Sequence, residues 1–198
     1  MSAAVPGGLA VRFVVLGFMV VLCACSLPVK VAPAGEYRTD SGISVELAGD
    51  WSVIPARTNR LSRGDVLTRD GVSLNRLHLV SLAPGEALAL PGEASEAPVF
   101  QPGLEGEAQV AFLLQSLEAA GLSQLQASQV RPQAFGAIAG TRLALSGRYD
   151  SGLDLRGTAA LAETGDKLHL IVFIAPAGHY HDRNAGEVSG IIESAVLN

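Results

Sequence analysis

The sequence predicts an α+β fold, a mostly antiparallel sheet with helices packed on it, from three observations. Residues 167–174, Lys-Leu-His-Leu-Ile-Val-Phe-Ile, form a short, β-branched and almost unbroken apolar run bounded by turns, which reads as a central strand buried on both faces. Several other short segments alternate apolar and polar residues between turns of hairpin length. Apolar residues recur with the helical period in mid-chain and again at the C-terminal end, so the order is strands, long loop, helix, strands, helix.

Composition bounds the rest. At 198 residues with 48% hydrophobic and 17% charged, the chain is long enough for one real core and too apolar to be disordered. Nineteen acidic against 14 basic side chains give a net charge of −5, and no dense Lys/Arg cluster offsets it, which argues against nucleic acid as a partner. Aromatics are only 5%, with one Trp, so the core is expected to be aliphatic.

Residues 1–24 read as a processing segment rather than as part of the fold. Arg12 precedes an apolar run at 13–22 interrupted only by Gly17. A signal-peptide core takes about 7–15 apolar residues and a spanning helix roughly 20, so this run is a signal and not an anchor helix. The run ends in Leu22-Cys23-Ala24-Cys25, which resembles a bacterial lipobox, with Leu at −3, Ala at −1 and Cys at +1. The resemblance implies that the Cys25 thiol accepts a diacylglycerol through a thioether. Cys23 is the competing position, but it would set Leu22 where a small residue is needed. Ordinary secretory cleavage with two incidental cysteines is the other alternative. Cleavage before Cys25 removes one of the two cysteines and lipidation blocks the other, which suits an oxidising compartment. Ser26 at +2 is not Asp, so in an enterobacterial-type host the resemblance implies a periplasm-facing lipoprotein sorted to the outer membrane.

Residues 25–41 are expected to be the lipidated Cys and a flexible Pro-, Ala- and Gly-rich tether, and residues 42–198 one globular domain. Ile43-Ser-Val-Glu-Leu47 alternates as a strand, and Asp50-Trp51-Ser-Val-Ile54 follows the Gly49 turn. Segments 62–68 and 73–82 flank Arg69-Asp70-Gly71, an Asp-Gly hairpin signal. Residues 83–106, with four prolines, read as a long loop. A helix over 107–120 follows from Val110, Leu113, Leu114 and Leu117, with Gly121 as its stop. Strands are expected over 124–131 and 137–146, divided by Pro132 and Gly136, and again over 154–162 before the turn at Gly165. After a loop past Pro176, Asn184 with Glu187 three residues on reads as the N-cap of a closing helix, whose inner face is Val188, Ile191, Ile192 and Ala195.

Gly42-Ile43-Ser44-Val45-Glu46-Leu47 followed by Asp50-Trp51 resembles the opening of PsbP-like domains. Leu168-His-Leu-Ile-Val-Phe-Ile-Ala-Pro176, a Tyr180-bearing loop and Ile191-Ile192-Glu193-Ser194 are similar to their closing strand and helix. The resemblance covers most of 42–198 and implies a PsbP-like α/β sandwich, a fold shared by photosystem subunits, a Ran-binding factor and many bacterial lipoproteins.

The most site-like cluster is His179-Tyr180-His181-Asp182. Two histidines at i, i+2 share a face of an extended chain, and Asp182 stands ready to orient one or to ligate, so the three are the metal candidates. A closed zinc site needs about four ligands, and no Cys or His-x₃-His completes it, so a solvated loop is the preferred reading. No nucleophile elbow, phosphate loop, dinucleotide fingerprint or zincin motif is present. Asp150, Asp154 and Glu163 read as solvated acids and Trp51 as a core plug rather than a ligand platform. Arg57, Arg60, Arg63 and Arg69 form a basic stretch, either a solvated hairpin face or a docking surface. The expectation is an envelope-anchored lipoprotein, non-enzymatic and cofactor-free. It would hold the membrane through Cys25 and bind an envelope protein through the 83–106 loop and the arginine hairpin. The alternative is a small-molecule or metal binder with a pocket under that loop.

Overall fold

The computed structural model describes residues 30–54, 64–88 and 97–198. Its elements are β1 (Lys30–Ala32), β2 (Gly35–Arg38), β3 (Ile43–Leu47), β4 (Trp51–Ile54), β5 (Asp65–Thr68), β6 (Arg76–Leu82), α1 (Glu107–Ala119), β7 (Leu122–Phe135), β8 (Ile138–Tyr149), β9 (Asp154–Thr164), β10 (Lys167–Pro176), α2 (His179–Glu193) and β11 (Val196–Leu197). An eight-stranded antiparallel sheet runs β1-β4-β5-β6-β10-β9-β8-β7, and a three-stranded one runs β11-β3-β2. This is the mostly antiparallel α+β architecture that the sequence predicts.

Strand β10 pairs with β6 on one side and β9 on the other, and all of it but Lys167 is buried. Side chains alternate across a strand, so its even residues enter one core and its odd residues the other. Leu168, Leu170, Val172 and Ile174 pack with Phe112, Leu113 and Leu117 of α1. Ile171 and Phe173 pack with Val188, Ile191 and Ile192 of α2 and with Ile43, Val45 and Leu47 of the small sheet. The layers are therefore helix, sheet, and a mixed layer of helix and small sheet.

Three boundaries differ from the sequence reading. The tether expected over 25–41 is corrected from Lys30 onward: β1 pairs with β4, Lys30 opposite Val53, and β2 pairs with β3, Gly35 opposite Leu47. Both strands are three or four residues long and are stabilised by partners downstream, so no local periodicity marks them. Residues 25–29 lie outside the described residues. The Asp-Gly signal is not a two-residue hairpin, because Leu67 pairs with Leu77 and the loop between them is wider. Buried Asn75 organises that loop: its Oδ1 accepts from Thr68 Oγ1 at 2.8 Å and from the Arg69 amide at 2.9 Å. Finally, β7 runs through Pro132, which pairs with Thr141 of β8; β7 is an edge strand, where a missing N–H costs nothing.

In α1 the buried stripe is Gln109, Phe112, Leu113, Ser116 and Leu117, rotated slightly from the expected one, while Val110 and Leu114 are partly buried. Phe112 sets this rotation by meeting Phe100 edge to face at 6.2 Å.

Ile171 is fully buried in the second core. Ile171→Ala is expected to cost about 2–5 kcal/mol, read from denaturant melts. A loss under about 1 kcal/mol, the range of conservative swaps, would show a core that recloses around the truncation.

Candidate functional site

His179, His181 and Asp182 lie on the first turn of α2 and not in a loop, a correction that follows from where the helix begins. Gly178, at φ 86, ends the strand-to-helix turn, and α2 starts five residues before the expected cap. Asn184 is instead buried inside the helix, donating to Tyr180 O at 2.8 Å and to Asp70 Oδ2 at 3.1 Å. On a helix, residues i and i+2 point apart, so the two imidazoles do not converge. His179 stacks edge-on against Tyr180 at 5.2 Å. His181 tilts against Phe173 at 6.2 Å and bonds Asp182 Oδ1 through Nδ1 at 2.9 Å. That hydrogen bond holds the Asp182 carboxyl below its usual range. Among the described residues no three His, Cys, Asp or Glu side chains form a metal-sized group.

The 83–106 loop, where described, belongs to the fold. Gly85 N donates to Phe100 O and Phe100 N to Glu86 O, each at 2.8 Å, and Ala87 bridges Val99. Leu88 and Phe100, at the described ends of the loop, are buried in the first core. Glu163 ties the far end down, accepting from Gly103 N at 2.6 Å, and is thus not the solvated acid expected.

Arg69, the one arginine of the basic stretch among the described residues, is likewise engaged. Arg69 pairs with Glu187 of α2, whose other oxygen accepts from Trp51 Nε1 at 3.0 Å. Asp70 accepts from Asn75 and Asn184 and lies 3.3 Å from Arg183. Trp51, 1% exposed, is the core plug. Arg57, Arg60 and Arg63, like Cys25, lie outside the described residues.

Two histidines outside that cluster, His78 and His169, stand out by environment. His169 is buried, with Ser81 Oγ 2.7 Å from Nδ1 and Thr164 Oγ1 2.8 Å from Nε2, so both ring nitrogens are satisfied. Burial, and then Lys167, push its pKa down. His78, on β6 between Val66 and Val172, is fully buried with neither nitrogen hydrogen-bonded. Desolvation, helped by Arg76, lowers its pKa from 6.5 to about 3. A polar pair of residues in an apolar strand was the only sequence signal for either.

The exposed chemistry gathers at the β7 edge. Gln126, Ser146 and Arg156 stand in register across β7, β8 and β9, with Gln124 and Arg148 beside them, around a polar groove of about 350 Å³. Alternation gives no hint of this groove, because it joins three strands.

No family model and no curated protein matches the sequence. Among solved structures the chain is similar to PsbP (CyanoP) from Synechocystis sp. PCC 6803, with TM-score 0.57 and 10% identity over 89% of this chain and 97% of that one. The fold is PsbP-like. A looser likeness, too low to support an argument, is to LpqN of Mycobacterium tuberculosis, described as involved in cell envelope biogenesis, with TM-score 0.44 and 14% identity over 86% of this chain and 91% of that one. The PsbP-like fold sets the sheet and its two covering layers; the Arg69–Glu187–Trp51 network and the groove are read from this chain's own residues.

Neutral His78 has a defined pH signature. Below pH 6.5 the unfolded chain takes up a proton that the folded chain refuses down to about pH 3, so stability is full above 6.5 and falls as pH drops. The slope is about 1.4 kcal/mol per pH unit. His169 adds a slope of the same sign. His78→Leu is therefore expected to gain about 2 kcal/mol on wild type between pH 7.5 and 5, in denaturant melts at both values. A wild-type-to-variant difference that does not change with pH would mean that His78 titrates alike in the folded and unfolded chains.

Proposed function

We propose that the protein is a lipid-anchored envelope lipoprotein whose domain is a non-enzymatic protein-docking module. The observation that carries this reading is Leu22-Cys23-Ala24-Cys25 at the end of a short apolar run, followed so soon by β1 at Lys30. Five residues span at most about 18 Å, so a lipid on Cys25 would hold the β1 edge close to the headgroups. Among the described residues no helix is long and apolar enough to cross a membrane.

The same geometry supports placing the docking surface on β7. Strands β1 and β7 are opposite edges of the large sheet, seven spacings of about 4.8 Å apart, so β7 would be the edge farthest from the bilayer. It is also exposed for most of its length, buried only at Leu122 and Phe135. Of the surface first expected to bind, Arg69 and the described ends of the 83–106 loop are engaged in internal contacts.

Cys25→Ser is expected to abolish incorporation of labelled palmitate, whereas Cys23→Ser retains it. Labelling that persists in Cys25→Ser would remove the anchor. A photo-crosslinking residue at Val130 on β7 is expected to yield a discrete partner adduct in envelope preparations that the same residue at Val99 does not. Equal adducts from both, or none from Val130, would remove the β7 edge as the docking surface.

A further inference from the structure

We propose that the groove between β7, β8 and β9 is a binding site for the oxyanion group, phosphate or carboxylate, of a small polar ligand. This goes beyond the docking role and does not depend on it.

Gln126 pairs with Ser146 and Ser146 with Arg156, so an amide, a hydroxyl and a guanidinium form one cross-strand row. Directly opposed side chains of adjacent strands lie about 5 Å apart, close enough to share one ligand. Arg148 is diagonal to Arg156, since its own partner is Asp154. Asp154 Oδ1 takes only the Nε–H of Arg148, at 3.0 Å, and the η nitrogens have no protein acceptor among the described residues. Arg156 makes no ion pair within 4.0 Å among them; Asp182 acts on it only through space while bonded to His181. Two planar forks with free N–H groups match the oxygens of a phosphate or carboxylate.

The backbone is shaped to hold this set. A bulge between Ser123 and Gln126 breaks the β7–β8 register, and Gln124 within it sits at φ 52, a conformation unfavourable for a residue with a Cβ. Gly147 lies opposite: a Cβ there would come within 2.8 Å of Leu125 and 2.9 Å of Ser123 O, so only glycine lets the bulge seat. Strain of this kind at a ligand-sized hollow is characteristic of binding sites. The hollow of about 350 Å³ is at the small end of ligand cavities. None of its lining residues is aromatic, which removes the usual platform for a neutral sugar or ring and leaves charge as the means of recognition.

The test titrates the ¹⁵N-labelled full chain, in detergent micelles at constant ionic strength, with inorganic phosphate in one arm and acetate in the other, and follows amide shifts. Saturable shifts at Gln124, Gln126, Arg148 and Arg156 are expected in at least one arm, and which arm responds identifies the oxyanion. Arg156→Gln and Arg148→Gln are each expected to weaken binding about tenfold, the loss of one charge-assisted contact. Arg131→Gln, an exposed arginine of β7 outside the groove, is expected to leave it unchanged and to report any general charge effect. Absence of saturation in both arms overturns the proposal, as does equal weakening in all three variants. Amide spectra of each variant without ligand establish that the fold is intact.

Discussion

Strand β10 has no polar face, and hiding both of its faces dictates the layers of the molecule. A strand with one wet face would need a single helix; β10 places Leu170 and Val172 on one side and Ile171 and Phe173 on the other. Each apolar face needs its own cover. Helix α1 and the anchored part of the 83–106 loop supply one, α2 and the small sheet the other. The neighbour β9 is adapted to this closeness with the run Ala159-Ala160-Leu161-Ala162, fully buried, and with Gly157, where any side chain would meet the Phe173 carbonyl.

Helix α2 is held in its place by more than apolar contact. Its inner stripe is buried, but its position is fixed by the turn between β5 and β6, where Arg69 reaches Glu187 and Asp70 receives the amide of Asn184. Trp51 donates to the same Glu187, linking three elements distant in sequence. Charged groups here are partly shielded and hydrogen-bonded on several sides, so they fix geometry in a way that an isolated surface ion pair does not.

What was legible in the sequence was whatever a local period or a one-sided surface writes into neighbouring residues. The apolar run of β10, the inner stripe of α2 and the mid-chain helix are of that kind. The misread parts depend on contacts between distant segments. Strands β1 and β2 are too short to show alternation and exist through β4 and β3. Leu88 and Phe100 sit among prolines and glycines that read as loop, yet they complete the first core. Strand β7 is wet on both faces for most of its length, so it lacks the pattern by which a half-buried strand is found, and Pro132 suggested a break. The candidate site was least legible of all, because its row of Gln126, Ser146 and Arg156 becomes a row only when three strands pair.

An exposed edge strand of fourteen residues would ordinarily invite pairing with another copy of itself. Here the edge is spoiled for that purpose three times. Register shifts at Ser123/Gln126 and Ser128/Arg131 bend it, Gln124 and Gln129 adopt left-handed backbone that interrupts the ladder, and Pro132 withholds a donor. Such an edge is poor at recruiting a further strand through its backbone, so recognition at this end of the sheet would have to run through side chains. The side chains that the bulges carry are glutamines, set beside serine and arginine. The devices that protect the edge are thus the same ones that assemble its polar groove, and a strand regularised to remove the strain would lose both.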